Sequence, residues 1–224
     1  MMVLSQTRTR PSVAAQLART RLDAKRAADL VVAGAGLVMA SPVLAVCAAA
    51  VKLGDGGPVL FRQTRVGLRG RPFRILKLRS MRVRSAGAEV TSAGDSRVTG
   101  VGRVLRATKL DELPQLVNVV AGDMSLVGPR PEVPRYVAAW SDEDRELVLS
   151  VRPGITDPAS LAFVDEEARL AEADDPEQYY REVIAPAKLA LCREYVRTRS
   201  LAGDARIVLQ TLAAVAGKVL RSRS

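Results

Sequence analysis

Leu30-Val-Val-Ala-Gly-Ala-Gly-Leu-Val-Met-Ala-Ser41-Pro42-Val-Leu-Ala-Val-Cys47-Ala-Ala-Ala-Val51 decides how this chain sits in space. The stretch holds 22 residues and no charge. As a straight helix it would be roughly 33 Å long, enough to cross a bilayer. Two features complicate that reading. Ser41-Pro42 falls in its middle, and proline removes a backbone donor and clashes with the preceding turn. Cations flank both ends: Lys25 and Arg26 before, Lys52, Arg62 and Arg65 after. Flanking cations favour the cytoplasmic side, so both ends are drawn to one face. Two architectures fit: a kinked spanning helix, or a re-entrant hairpin broken at Ser41-Pro42 with arms of about 15–18 Å. A cleaved signal peptide fits poorly, because the run starts late and is too long.

Working outward, residues 1–28 form a basic leader, disordered over about its first eleven residues and helical from Ser12. Residues 29–52 are the membrane element, 53–203 a cytoplasmic domain, and 204–224 an amphipathic basic helix. Gly54 to Pro58 is a turn. Val59–Gly67 and Pro72–Ser80 read as a β-hairpin turned by Leu68 to Arg71. Cations recur along it: Arg62, Arg65, Arg74, Lys77 and Arg79. Residues 84–97 read as a loop. Leu113, Leu116, Val117 and Val120 recur at helical spacing, which puts Asp111 and Glu112 on a first turn above a buried Leu116 and Val117. Three further helices are expected: Glu132–Leu149, Ser160–Ala173 and Tyr179–Leu201. Between the first two, Arg152 to Pro158 reads as a rigid loop. In 204–220, Ile207, Val208, Leu212, Val215 and Val219 share a side. The expected fold is α/β and mostly helical: a monotopic membrane protein with a re-entrant broken helix, a small β-hairpin and amphipathic helices around it.

Composition narrows the chemistry. The net charge is +10 over 224 residues, so the partner is anionic. There is no histidine, which excludes histidine bases and histidine-ligated metals. Cys47 and Cys192 form no motif. A metal, if used, would be a hard, oxygen-ligated ion such as Mg2+. The carboxylate pair Asp111-Glu112 lies among Arg106, Lys109 and, past Gly122-Asp-Met-Ser-Leu-Val-Gly, the Pro129-Arg130-Pro131 turn. Such a pair suits phosphate chemistry: one acid attacks phosphorus or holds a metal while guanidinium groups neutralise phosphoryl oxygens.

The ordered blocks are specific together. They run Lys25-Arg26…Asp29, Ser41-Pro42, Gly57-Pro58…Gln63, Lys77-Leu-Arg79, Asp95…Thr99, Arg106, Leu110-Asp-Glu-Leu-Pro-Gln115, Asn118, Gly122 to Pro131, and Arg152-Pro-Gly-Ile-Thr156. This set resembles the bacterial sugar transferase family, the small monotopic polyprenyl-phosphate glycosyl-1-phosphate transferases. The resemblance implies transfer of a sugar 1-phosphate from a UDP-sugar to undecaprenyl phosphate with release of UMP, the first membrane step of a polysaccharide or glycoconjugate pathway. It implies a bacterial inner-membrane enzyme whose catalytic domain faces the cytoplasm. It makes Asp111 the nucleophile of a covalent phosphosugar intermediate, and gives Glu112 a part in magnesium binding or activation. Both carboxylates are the expected Mg2+ ligands. Arg106 and Arg130 match phosphate-contacting positions, and Lys77 and Arg79 are expected to join them. The resemblance also favours the hairpin at Ser41-Pro42. Members of the family often act as dimers, so a homodimer is one expected state.

The sequence departs from the family after Thr156, where Asp157-Pro-Ala-Ser160 replaces the frequent Gly-Trp-Ala-Gln. A different reading, a membrane-tethered basic protein binding anionic lipid or nucleic acid without catalysis, rests on charge alone. No stacking aromatics or nucleic-acid motif support it, and no nucleic acid is expected as a partner.

Overall fold

The computed structural model describes the backbone of residues 13–82 and 93–221. The expected disorder of residues 1–11 and most of the 84–97 loop fall outside that range. Helix α1 (Val13–Asp55) takes in the whole apolar run and continues through Pro42. The helix is thus not interrupted at Ser41-Pro42, where a break was expected. The chemistry at Ser41 explains how the proline is carried. Proline cannot donate to the carbonyl four residues back, which here is Val38. The Ser41 hydroxyl donates to that Val38 carbonyl instead, at 2.8 Å.

The expected hairpin is present. Strands β1 (Leu60–Val66) and β2 (Pro72–Leu78) pair antiparallel, with Gln63 opposite Ile75. The turn uses Arg69 and Gly70 at positive φ. Helix α2 (Gly100–Thr108) starts at Thr99, whose side chain accepts from the Gly102 amide. Gly102 is required there, since a Cβ would sit 1.9 Å from the Ser80 carbonyl oxygen.

A 3-10 turn, Leu110–Glu112, leads to helix α3 (Gln115–Ala121), which ends at Gly122 with φ 97°. The buried face of α3 is Gln115, Asn118 and Val119, with Leu116 packed at its edge. Val117 and Val120 point outward, which corrects the expected register. The register shifts because Asn118 has a partner that periodicity does not reveal. Its side chain accepts from Leu76 N at 3.0 Å and donates to Arg74 O at 2.9 Å, standing in for a third strand beside β2.

Beyond α3, β3 (Ser125–Val127) pairs parallel with β4 (Gly154–Thr156), a strand within the expected rigid loop. Helices α4 (Pro134–Ala138) and α5 (Asp142–Val148) divide the single helix expected there, because Ser141 caps α5. Then follow α6 (Pro158–Ala162), α7 (Glu166–Ala171), α8 (Pro176–Tyr179), a π turn at Tyr180–Ile184, α9 (Ala185–Thr198) and α10 (Leu201–Arg221). On α10, Leu212 is exposed rather than sharing the inner side with Ile207 and Val208.

Both ends of the apolar part of α1 are fastened to this domain. At one end Arg26 donates to the Val119 carbonyl at 2.8 Å, and Asp29 accepts from Ser125 Oγ at 2.7 Å. Lys25 reaches Asp204 of α10 at 2.6 Å. At the other, Val51 packs with Leu78 and Leu105, and Asp55 pairs with Arg79. Between them Val38, Met39 and Val46 are each more than two-thirds exposed. An apolar face of this size is unfavourable in water, and among the described residues α1 is the helix long and apolar enough to cross a membrane.

Candidate active site

The site forms where α2, the 3-10 turn and β2 meet. Lys109 joins α2 to the turn in a left-handed conformation, φ 57°. This reverses the chain and brings Asp111 and Glu112 inward, where they are 5% and 8% exposed. The two neighbours then face different surroundings. Glu112 accepts from Lys77 Nζ at 2.8 Å and from Arg130 at 2.7 Å. The second Arg130 nitrogen lies 3.5 Å from its other oxygen. Asp111 Oδ1 is buried and has no hydrogen-bond partner among the described residues.

Their protonation follows from this. Burial opposes the ionised form of Glu112, but Arg130, Lys77 and Lys109 together outweigh it and hold the carboxyl well below its ordinary range. The Glu112 carboxylate in turn raises Arg130. For Asp111 burial dominates and pushes the carboxyl up, against the pull of Lys77, Lys109 and Arg106. Lys77 is lowered by burial, which Glu112 counters.

The expected phosphate-binding cations do not all gather here. Lys77 and Arg130 touch Glu112 directly. Arg106 acts on Asp111 through its charge, while its guanidinium pairs with Glu167 of α7. Arg79 stands apart, buried against Asp55 and lying over Gly57, where a Cβ would meet the guanidinium at 2.0 Å. Its surroundings are those of a clamp on the end of α1. The sequence gives Lys109 a charge among the acids but nothing that marks its left-handed backbone.

Asp111 and Glu112 are the carboxylates that could hold Mg2+ in this arrangement. Hard divalent ions of this kind keep several waters and take one or two protein carboxylates plus substrate phosphate. The free oxygen of Asp111 meets that need, with Glu112 adjacent. Among the described residues no group of three or more potential ligands gathers, so substrate oxygens would complete the shell.

The family model described as bacterial sugar transferase matches residues 20–218. The chain belongs to the bacterial sugar transferase family. It is 42% identical over 192 residues to a UDP-glucose:undecaprenyl-phosphate glucose-1-phosphate transferase of Caulobacter vibrioides, covering 84% of this chain and 68% of that protein. A protein with the same description from Escherichia coli is 41% identical over 196 residues, covering 84% of this chain and 39% of the relative. An exopolysaccharide production protein of Rhizobium meliloti is 34% identical, covering 86% of this chain and 85% of the relative. The chain thus spans less than half the length of the E. coli protein.

As a bacterial sugar transferase this chain is an enzyme of the transferase class, and the Asp111–Glu112 turn sets a buried carboxylate pair beside Lys77 and Arg130. The long-range contacts explain why that turn is held so firmly. Asn118 locks α3 to β2, which carries Lys77 to Glu112. Pro129 O accepts from Gly154 N, which ties the Arg130 turn to the parallel strand pair. A further residue reaches the site from behind: Asp157, 1% exposed, acts on Arg130 through its charge.

Proposed function

We propose that this bacterial sugar transferase moves a sugar 1-phosphate from a UDP-sugar to undecaprenyl phosphate and releases UMP, at the cytoplasmic face of the bacterial inner membrane. The observation that carries the reading is the contrast inside the carboxylate pair: Glu112 is held by two cations, while Asp111 keeps a buried oxygen with no protein partner. The names of the relatives support the acceptor, and four name UDP-glucose as donor. Another, from Aeromonas hydrophila and 39% identical, is described as an N-acetylgalactosaminephosphotransferase.

The chemistry needs two displacements at one phosphorus. In the first, an Asp111 oxygen attacks the phosphorus that carries the sugar. The bond from that phosphorus to the bridging oxygen breaks, and its electron pair leaves with UMP. In the second, an oxygen of undecaprenyl phosphate attacks the same phosphorus, and the bond to Asp111 breaks, restoring the carboxylate. Neither step requires a proton transfer, which suits a chain without histidine. Attack by an anion on an anionic diphosphate requires screening of charge. Arg130 and Lys77 supply fixed positive charge beside the nucleophile, and Lys109 and Arg106 favour its ionised form. Asp111 and Glu112 are the residues that would hold Mg2+, which when bound would supply further screening of phosphate charge.

The test is UMP release from a panel of UDP-sugars with undecaprenyl phosphate, with Mg2+ and with chelator. Wild-type enzyme should release UMP only with Mg2+. Without acceptor it should retain labelled sugar phosphate covalently. Turnover by Asp111→Asn at the wild-type rate would overturn the mechanism.

A further inference from the structure

Arg130, the partner of Glu112, also lines a narrow cleft. Its lining includes Arg130, Tyr136, Trp140, Asp157, Ser160 and Lys188. It has room for about two water molecules, or one small polar substituent, and not for a whole sugar ring or a nucleotide base.

Two walls are already satisfied. Lys188 pairs with Glu166 and lies 5.5 Å from the centre of the Tyr180 ring. Arg130 is held by Glu112. Asp157 is not. One of its oxygens caps α6 by accepting from Ser160 N, while the other, Oδ2, is buried with no hydrogen-bond partner among the described residues. A buried carboxylate oxygen without a donor costs free energy. Arg130 and Lys188 lower that cost through their charge only in part, and burial still pushes the Asp157 carboxyl up.

We propose that this cleft is the specificity subsite for the donor's sugar, with Asp157 Oδ2 accepting a hydrogen bond from one hydroxyl or amide N–H substituent of the ring. The inference rests on the proposed transfer reaction. Its geometry follows from Arg130, which forms a wall of the cleft and also touches the carboxylate pair. A donor whose sugar phosphate pairs with Arg130 would have its ring beside a residue that lines the cleft. An acceptor oxygen fixed in that position discriminates strongly, because a sugar lacking the donor group leaves a buried carboxylate oxygen unsatisfied.

Asparagine also caps helices well, so Asp157→Asn keeps the Ser160 contact and changes the acceptor into an amide. Wild-type enzyme should prefer one UDP-sugar, and an analogue of that sugar deoxygenated or fluorinated at one position should lose about tenfold to a hundredfold in kcat/KM. In Asp157→Asn the natural donor should lose that factor and the analogue should lose little more. Equal loss for all donors, or no loss, would overturn the subsite.

A second readout is independent of turnover. Trp140 is the only tryptophan of the chain and lines the cleft. Its emission should change with the preferred UDP-sugar but not with UMP, and the change should need about tenfold more ligand or vanish in Asp157→Asn. An equal response to UMP, or none to a UDP-sugar that is turned over, would overturn the proposal. If no UDP-sugar releases UMP from the wild-type enzyme, the transfer reaction itself fails and the subsite with it.

Discussion

Arg130 grips both oxygens of Glu112, at 2.7 and 3.5 Å, from a turn 18 residues further along the chain. Because Lys77 shares the nearer oxygen, Glu112 has two cationic partners while its neighbour Asp111 has a bare oxygen. Adjacent side chains on a turn diverge, and here the divergence separates two duties. Glu112 holds the cations, and Asp111 keeps the unpartnered oxygen that the proposed attack on phosphorus uses. Each substitution of the pair should therefore fail in its own way.

Asp111→Asn should abolish UMP release without unfolding the protein. Burial raises the folded carboxyl of Asp111 above its unfolded value of about 3.9. A raised carboxyl contributes stability below the unfolded pKa and loses it as pH rises through the folded pKa. At neutral pH the wild-type protein carries that penalty and the amide does not. The melting temperature of Asp111→Asn should equal or exceed wild type at pH 7.5, with the gap closing near pH 4. A large drop at pH 7.5 would mean that the carboxylate is structural.

Glu112→Gln should behave in the opposite way. It leaves Lys77 and Arg130 buried beside a neutral group, and breaking such a pair costs about 3–5 kcal/mol. At about 2–4 °C per kcal/mol, the melting temperature should fall by roughly 6–20 °C. Arg130, Lys77 and Lys109 depress the folded Glu112 carboxyl despite its burial. Its contribution is thus present above about pH 4.3 and lost as pH falls through the lower folded value. Wild-type stability should decline with acid below about pH 4.3, and Glu112→Gln should flatten that decline. Melting curves between pH 3 and 7 measure both.

How far the sequence carries depends on whether a feature is local. The β1–β2 hairpin and the Asp-Glu turn are legible because alternation, turn residues and helix starts act over a few residues. The outward direction of Val117 is not, since apolar spacing alone cannot show that Asn118 bonds to Arg74 and Leu76, more than forty residues away. Arg79 looks like any other strand cation until Asp55 is found beside it. Asp157 reads as part of a rigid loop, and its capping of α6 and its second, buried and unpartnered oxygen emerge only in the fold. Pro42 signals a break, yet the helix continues through it, with the Ser41 hydroxyl on the Val38 carbonyl.

Backbone approach distinguishes two glycines that look equivalent in the sequence. Gly102→Ala would place a Cβ 1.9 Å from the Ser80 carbonyl, so α2 must move away from the end of β2. Overpacking of this kind costs about 1–3 kcal/mol. Since α2 leads into the Lys109 turn, UMP release should fall as well. Gly34→Ala meets nothing within 4 Å and sits inside α1, where alanine is favoured by roughly 0.5–1 kcal/mol. Denaturation in detergent should show loss for the first and a small gain for the second. Equal effects would contradict the packing of α2 on Ser80.

The two fastened ends of α1 bear on how the enzyme meets the membrane. Arg26 and Asp29 hold one end to α3 and β3, and Val51 and Asp55 hold the other to β2 and α2. A polar domain lies on one side of a bilayer, because its charged surface cannot be buried in lipid. A helix fixed to that domain at both ends therefore cannot place those ends on opposite faces. Its exposed middle, around Val38, Met39 and Val46, would then meet the near leaflet only. Ala28→Cys and Leu53→Cys, both at exposed positions, made after Cys47→Ala and Cys192→Ala, would mark the ends. A membrane-impermeant maleimide should label neither in intact spheroplasts and both after lysis. Labelling of only one of the two in intact spheroplasts would mean that α1 spans the membrane, and that the contacts at one of its ends do not persist there.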